Sequence, residues 1–598
     1  MKSIAFIHSI SNYKKVRDST TNCIYICFDP LVDEILKRNG EESYFYDEFI
    51  SKDEGKKATE YMYELVRTWY IINGVDFSKF EDISIGKLLE MEVFMEFGKL
   101  LKRIIAFRNI IDKFKPDELY FFYKKDDKYK EIIDILKDNY KFNVVYMPFE
   151  TSKTYKSILK LKIDNLKSII SFFIHVIYAL FFPVRLLRKK KRIRTLIYLN
   201  TPSIFEVWLK NEDIKNNIQL VLPYYPYFGL PKFRTFLSIL WNGVEIVSFK
   251  IKSTNNNNSE IEKIKRNILS NLNNESYKKK FIYNGIDYSP IFEKILKEIT
   301  TNRVPLIYKR YYEYYKLISK LNLDLLITKH DWEEDWQLIV EVAKKLGVET
   351  FVILHGMPVA SNIRYLSQNR NANNLIVYGE GLKRLYTEIG VNPEKIYVIG
   401  YPSFDEFIKA EKKEGKYILI LQHTFHPSEI LDKEKADIDY IRVVKEALKN
   451  KSDKIIYKLH PGRQDINYFR KILEYFELKW EIIDREKTLA ELIPESKFVV
   501  GPASTAAMET LIVGKEYYYV KLTPMDYPPP YDGNHLKVAT NVEELRYMIE
   551  NNIRQPRGKI LREFCNVTGK EKYGHFARKL FEFLIDYSSN QKPTKQTF

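Results

Sequence analysis

The chain has 598 residues, too many for one hydrophobic core, and at about 150 residues per domain it predicts three or four units. Its 45% hydrophobic content is that of a globular protein, and its net charge of +17 suits nucleic acid, an anionic membrane surface or phosphorylated substrates. No zinc-finger spacing, RNP-like aromatic strand or basic heptad arm accompanies that charge, which argues against nucleic acid; three cysteines, Cys23, Cys27 and Cys565, exclude a disulfide framework.

Residues 1–150 read as an N-terminal α/β accessory domain. Strands are predicted at 3–8, 23–28, 118–123 and 142–147, and helices at 31–39 and 129–139. A long amphipathic stretch covers 83–114. Strands alternating with helices predict a parallel, helix-covered sheet. Cys23 and Cys27 fall inside a strand and read as small hydrophobes. No Gly-rich phosphate loop is present here, and residues 1–8 are too short an apolar run for a signal peptide.

Residues 151–194 break the pattern. In residues 168–187 (SIISFFIHVIYALFFPVRLL) Arg185 is the one charge, and the basic run Arg188-Lys-Lys-Lys-Arg192 follows. About 20 apolar residues are needed to span a bilayer, but Pro183 and Arg185 shorten the clean stretch. The segment therefore predicts a helix lying at the membrane interface, with the basic residues of 153–192 on anionic lipid headgroups. A buried helix linking two domains is the alternative, and a true span the third reading.

Residues 195–400 resume the alternation as a first, acceptor-side Rossmann-like domain. Strands are expected at 195–200, 218–222, 243–249, 324–328, 349–354, 374–379 and 395–400, with a charged helical region over 261–297 and a helix over 336–346. Residues 401–415 read as a hinge. A second Rossmann-like unit, the nucleotide-donor domain, covers 401–557, with strands at 417–422, 454–459, 480–483, 498–501 and 516–520. Residues 558–598 are a C-terminal helix and tail.

In open α/β sheets ligands bind beyond the carboxyl ends of the strands, and the chemistry-bearing residues fall there. Val499-Val-Gly-Pro-Ala-Ser-Thr-Ala-Ala-Met-Glu509 runs from a strand through a turn of small residues into a helix. Free backbone N–H groups, the helix dipole and the hydroxyls of Ser504 and Thr505 suit a phosphate, and Glu509, one turn on, suits ribose hydroxyls. In Ile455-Ile-Tyr-Lys-Leu-His-Pro-Gly462 a strand ends in His460-Pro461, placing an imidazole donor where charge develops on a leaving nucleotide; Lys458 and Arg463 add positive field. Residues 350–356 end in His355-Gly356. The segment Asp324-Leu-Leu-Ile-Thr-Lys-His-Asp-Trp-Glu-Glu-Asp335 adds His330, Asp331, Glu333, Glu334 and Asp335 on the facing side of a cleft. A general base for an acceptor hydroxyl is expected from this set, with His355 and Asp331 leading and His330 and Glu333 also candidates. Gln422-His-Thr-Phe-His-Pro427 brings His423 and His426 to the first strand of the last unit. No acidic or Cys partner completes a metal set, so no metal is predicted.

Taken in order, His355-Gly356, Gly400-Tyr-Pro-Ser-Phe-Asp405, His460-Pro461 and Ser504-Thr505 with Glu509 resemble the bacterial cell-surface polymer transferases. These are the polysialyltransferase- and sialyltransferase-like enzymes, the capsule Kdo-transferase-like proteins and the CDP-glycerol glycerophosphotransferases of teichoic acid synthesis. The resemblance covers about residues 320–525. It implies a GT-B fold: two Rossmann-like parallel-sheet domains facing a cleft, here with the extra N-terminal α/β domain. It also implies that His460, Pro461, Ser504 and Thr505 bind the donor phosphate, joined on the donor side by Glu509, Lys458, Gly356 and His423. The Gly400-to-Asp405 hinge is also similar to that of the non-hydrolysing UDP-sugar 2-epimerases. One departure is that Glu333-Glu334-Asp335 is followed by Trp336, where sialyltransferases carry glycine after their acidic pair. The function expected is metal-independent transfer of a sugar from a nucleotide-activated donor, with no cofactor, to a polysaccharide or lipid-linked acceptor. The place expected is the cytoplasm, peripherally at the inner face of the membrane.

Overall fold

The computed structural model describes residues 2–20, 22–123, 128–148, 192–198, 201–224, 244–248, 258–354, 356–358, 371–423, 430–431, 433–462 and 465–590. The predicted membrane-interface segment, His355, His426 and Arg463 lie outside these residues. Among the described residues no helix is long and apolar enough to cross a membrane.

Three parallel sheets form the frame. In the first, the strands lie in the order Ser43–Phe45, Cys23–Cys27, Ser3–Ile7, Glu118–Tyr123, Asn143–Pro148. The second runs Glu245–Ser248, Ile218–Tyr224, Ile193–Ile197, Leu325–Thr328, Glu349–Ile353, Asn374–Val377, Ile396–Val398. The third runs Glu481–Ile483, Ile455–Lys458, Tyr417–Leu421, Ser496–Gly501, Tyr517–Val520, Val538–Ala539. Each sheet starts in its middle, grows to one side and then reverses to the other, the doubly wound Rossmann order. The α/β class with two Rossmann-like units and an additional N-terminal α/β unit is therefore the architecture of the chain. The cause is legible in the strands: Tyr417–Leu421 (YILIL) is buried at every position, because helices cover both faces of a parallel sheet and leave no solvated side.

The chain end returns to the middle sheet. Helix His575–Asn590 buries Ala577, Leu580, Phe581 and Leu584 against Ile197, Trp208, Phe351 and Ile353. The N-terminal sheet is packed against both other units. Toward the last one, the Glu434 N–H donates to Asp47 Oδ2 at 2.9 Å, the Ile430 N–H donates to Thr59 Oγ1 at 3.2 Å, and Arg442 pairs with Glu34 at 2.6 Å. Toward the helices flanking the middle sheet, Arg303 pairs with Glu92 at 2.8 Å and the Phe97 and Phe292 rings meet at 4.5 Å.

Four elements differ from their sequence expectation. The stretch 83–114 is divided: Ile83–Ser84 pairs with Lys79–Phe80 in a hairpin, and helices Ile85–Leu88 and Glu90–Phe114 follow. The charged region 261–297 is interrupted by the hairpin Ile282–Tyr283 with Ile286–Asp287, turned by Asn284 and Gly285 at φ of 49° and 80°. Asn-Gly is the pair that tolerates positive φ at both central turn positions. Beyond it lies one helix of 33 residues, Ser289–Leu321, which continues through Pro305. The 401–415 hinge holds a helix, Phe404–Lys409. The C-terminal helical region is two helices, Arg557–Cys565 and His575–Asn590, parted after Asn566 takes up a left-handed conformation.

Candidate functional site

In the last sheet, the point where the chain reverses direction lies between Tyr417–Leu421 and Ser496–Gly501. Beyond the carboxyl ends of these strands and of Ile455–Lys458 is a cavity of about 620 Å³. Its walls include Gln422, Lys458, His460, Pro461, Arg485, Lys487, Ser504 and Glu509, and Phe407 from the hinge helix. A crevice of this size suits a small-molecule ligand.

The helix wall is built by its cap. Ser504 is extended at φ −163°, and its hydroxyl accepts the Ala506 N–H at 3.3 Å, so helix Thr505–Val513 begins at the cavity with its positive end facing the strand ends. The Tyr531 hydroxyl donates to the Ser504 carbonyl at 2.5 Å and fixes the cap from behind. Thr505 serves a different contact: its Oγ1 accepts the Met357 N–H at 2.8 Å. A Cβ on Gly356 would come within 3.2 Å of the same oxygen. The His-Gly loop of the middle sheet thus meets the Ser-Thr helix start of the last one. Replacing Thr505 by Val keeps the shape and strands the Met357 N–H; the expected loss is about 1–2 kcal/mol, read as a lower urea midpoint, and an unchanged midpoint would show the bond to be idle.

The second wall is the His-Pro turn. The His460 N–H donates to Gln422 Oε1 at 2.8 Å, and the Gly462 N–H donates to His460 Nδ1 at 3.1 Å. Accepting at Nδ1 puts the proton of the neutral imidazole on Nε2. Lys458 is buried and its ammonium donates to the Asp484 carbonyl, while burial pulls its pKa down. Its charge is therefore partly spent within the wall, and the more exposed Arg485 and Lys487 add positive field from the neighbouring turn. Glu509 contributes a carboxyl that burial pushes up to about 8; no hydrogen bond to that carboxyl is made by the described residues.

Five of the donor-side residues expected from sequence, Lys458, His460, Pro461, Ser504 and Glu509, are thus brought together in one cavity, with Thr505 and Gly356 at its margin. His423 is instead buried against the Tyr440 ring, 5.9 Å between centroids. Among the described residues no group of His, Cys, Asp and Glu forms a cluster fit for a metal ion.

The acidic segment of the middle sheet does not line this cavity. Asp331 is buried, and its Oδ2 accepts the N–H groups of Asn371 and Ala372 at 2.8 and 2.9 Å. That carboxylate ties the loop after Leu325–Thr328 to the approach to strand Asn374–Val377. Glu334 is tied to Arg303 and Arg310 at 2.6 and 3.2 Å, and Asp335 to Arg310 at 2.6 Å. Burial pushes the Glu334 carboxyl up to about 7 against the pull of both guanidiniums. Both are first-turn residues of helix Glu334–Lys345, where carboxylates complement the dipole. His330 is buried between the rings of Trp332 and Trp336, 5.0 and 5.1 Å away, with the half-exposed Glu333 carboxylate 3.8 Å from its Nε2.

Sequence reasoning passed over Phe407, Arg485 and Lys487, and gave Gln422 no role of its own. Gln422 carried a signal, as the residue directly after a fully buried strand. The others enter from a hinge helix and from a turn whose approach to the cavity only the tertiary fold decides.

No protein-family model matches the chain. No curated protein matches it either. Among solved structures, the chain is similar to UDP-GlcNAc 2-epimerase from Methanocaldococcus jannaschii, in complex with UDP-GlcNAc and UDP, at 15% identity and TM-score 0.37, over 65% of this chain and 98% of that one. It is similar to the wall teichoic acid polymerase TagF at 11% identity and TM-score 0.38, over 74% of this chain and 100% of that one. It is similar to MurG of Acinetobacter baumannii at 11% identity and TM-score 0.32, over 67% of this chain and 100% of that one.

Proposed function

We propose that the chain is a GT-B-type glycosyltransferase that moves a sugar from a nucleotide-activated donor to a cell-surface polysaccharide or lipid-linked acceptor. The observation that carries this reading is the cavity itself. It combines the positive end of helix Thr505–Val513, an imidazole held as the Nε2–H form, and a carboxyl with no hydrogen bond from the described residues. Anionic oxygens suit the first two and sugar hydroxyls the third, and a nucleotide presents both. The helix end, His460 and Arg485 face charge that grows on the departing phosphate, which is where fixed donors lower a barrier. A base for the acceptor hydroxyl is assigned to the edge of the middle sheet, from His330, Glu333 or His355. Asp331 is the weaker choice, being committed to backbone. The basic apolar segment at 153–192 is assigned to the inner membrane surface, where lipid-linked acceptors lie.

The test is a thermal-shift screen of CMP, CDP, UDP, GDP and ADP on the wild type and on the Ser504→Ala/His460→Ala double variant. A specific ligand at a hundredfold excess over Kd stabilises by about 2.7 kcal/mol, and that gain is expected to vanish in the double variant. A cytidine response points to a sialyl, Kdo or polyol-phosphate donor. A uridine response points to a UDP-sugar donor, and product analysis without acceptor then separates transfer from epimerisation. No response to any of the five would sink the donor-site assignment.

A further inference from the structure

We propose that Gln422 is a ligand-binding residue, whose side-chain amide donates to an anionic oxygen of the bound donor; this rests on the donor-site reading above. Gln422 directly follows Tyr417–Leu421, and its own N–H donates to the Lys458 carbonyl at 3.0 Å, so the backbone is held in the ladder to its last residue. It therefore stands where the sheet reverses direction, between the His460 turn and the Ser504 turn. Its side chain is 3% exposed. Oε1 accepts the His460 N–H at 2.8 Å, which fixes which end of the amide is oxygen. Nε2 is then left shielded from solvent with no partner among the described residues, in a residue that forms part of the cavity wall.

A buried amide donor without an acceptor is rare in folded proteins, because the desolvated N–H is costly unless something completes it. None of the described residues completes it, and we take the acceptor to be a ligand. The surroundings state which kind. His460, Arg485, Lys487 and the start of helix Thr505–Val513 are donors or cations around the same space, which favours an anionic oxygen. The carboxyls of Glu509 and Asp484 are acceptors in that wall and favour hydroxyls. A phosphate ester bearing hydroxyls meets both demands, with Gln422 on its phosphate end. Gln422 also has a second duty that a lysine could not fulfil: a neutral amide accepts the His460 N–H with one end while donating with the other, so one side chain sets the His-Pro turn and contacts the ligand.

Gln422→Glu isolates the donor, since it keeps an oxygen for the His460 N–H and replaces Nε2 by an acceptor. The full chain is titrated calorimetrically with CDP, UDP and inorganic pyrophosphate, and the melting temperature of each variant is recorded. The expected result is that any diphosphate bound by the wild type is weakened at least about tenfold in Gln422→Glu. Gln422→Met, which places no negative charge in the wall, should lose affinity in the same direction. If the wild type binds one of these probes and both folded variants bind it equally well, Gln422 has no ligand contact, and the donor-site reading stands without it. If the wild type binds none of these and none of CMP, GDP and ADP, the donor-site reading fails and the inference fails with it.

Discussion

Asp405→Ala is expected to destabilise the chain by about 3 kcal/mol. Asp405 is fully buried, and its two carboxylate oxygens accept the N–H groups of Phe576 and Ala577 at 3.1 and 3.0 Å. These lie in the first turn of His575–Asn590, the helix that returns to the middle sheet. Burial pushes the Asp405 carboxyl up to about 6 against the pull of those two amides. Alanine would leave two helix-end donors buried and unmade and would remove the negative charge that the dipole favours. Because Trp208 packs in the same cluster, urea unfolding followed by tryptophan fluorescence reads the change. Asn at the same position keeps one acceptor oxygen and should cost less. A midpoint shift for Ala no larger than that of a surface substitution would show that the hinge does not depend on this cap.

The pH dependence of stability should be the mark of Glu509. Its carboxyl is ordinarily near 4.5 and is pushed up to about 8 by burial. Between those values the folded chain holds a proton that the unfolded chain has released. The stabilisation is fully present below the unfolded value and is lost as pH rises through the folded one, at about 1.4 kcal/mol per pH unit. Glu509→Gln replaces the protonated acid by a neutral amide of the same shape. Wild type and variant should therefore melt together near pH 4, and the wild type should fall steadily further behind as pH rises from 4.5 toward 8. Parallel melting curves across that range would mean that Glu509 is already ionised in the empty cavity. A ligand whose hydroxyls donate to Glu509 would favour its ionised form. Nucleotide binding near pH 7 should accordingly release a proton, seen as calorimetric heats that vary with the buffer's ionisation enthalpy.

Much of the frame was open to reading from the chain alone. Runs such as Tyr417–Leu421 have one reading as strands in a helix-covered sheet, because an apolar stretch that short, followed by a turn and a helical period, has nowhere to go but a buried layer. The acidic segment of the middle sheet was less open. Asp331 and Glu334 look alike in sequence, and only the tertiary structure shows their partners, the Asn371 and Ala372 amides and the Arg303 and Arg310 guanidiniums. Those partners lie 24 to 41 residues away in the chain. Likewise the Ser289–Leu321 helix was read only in its first third, since Pro305 and a dense run of tyrosines mask its period.

The sequence by itself determined most strands of the three sheets and the turns that follow them, because local periodicity, caps and turn residues act over a few positions. It also placed Ser504, His460 and Glu509 at such ends, where ligands bind. The tertiary structure decided which ends converge. The order of strands in the last sheet puts Gln422 between the His460 and Ser504 turns, and the meeting of Thr505 with the Met357 backbone sets the middle sheet against the last. Such contacts depend on packing between segments far apart in the chain. Whether a buried amide or carboxyl is satisfied follows from that packing, and here it is what marks Gln422 and Glu509.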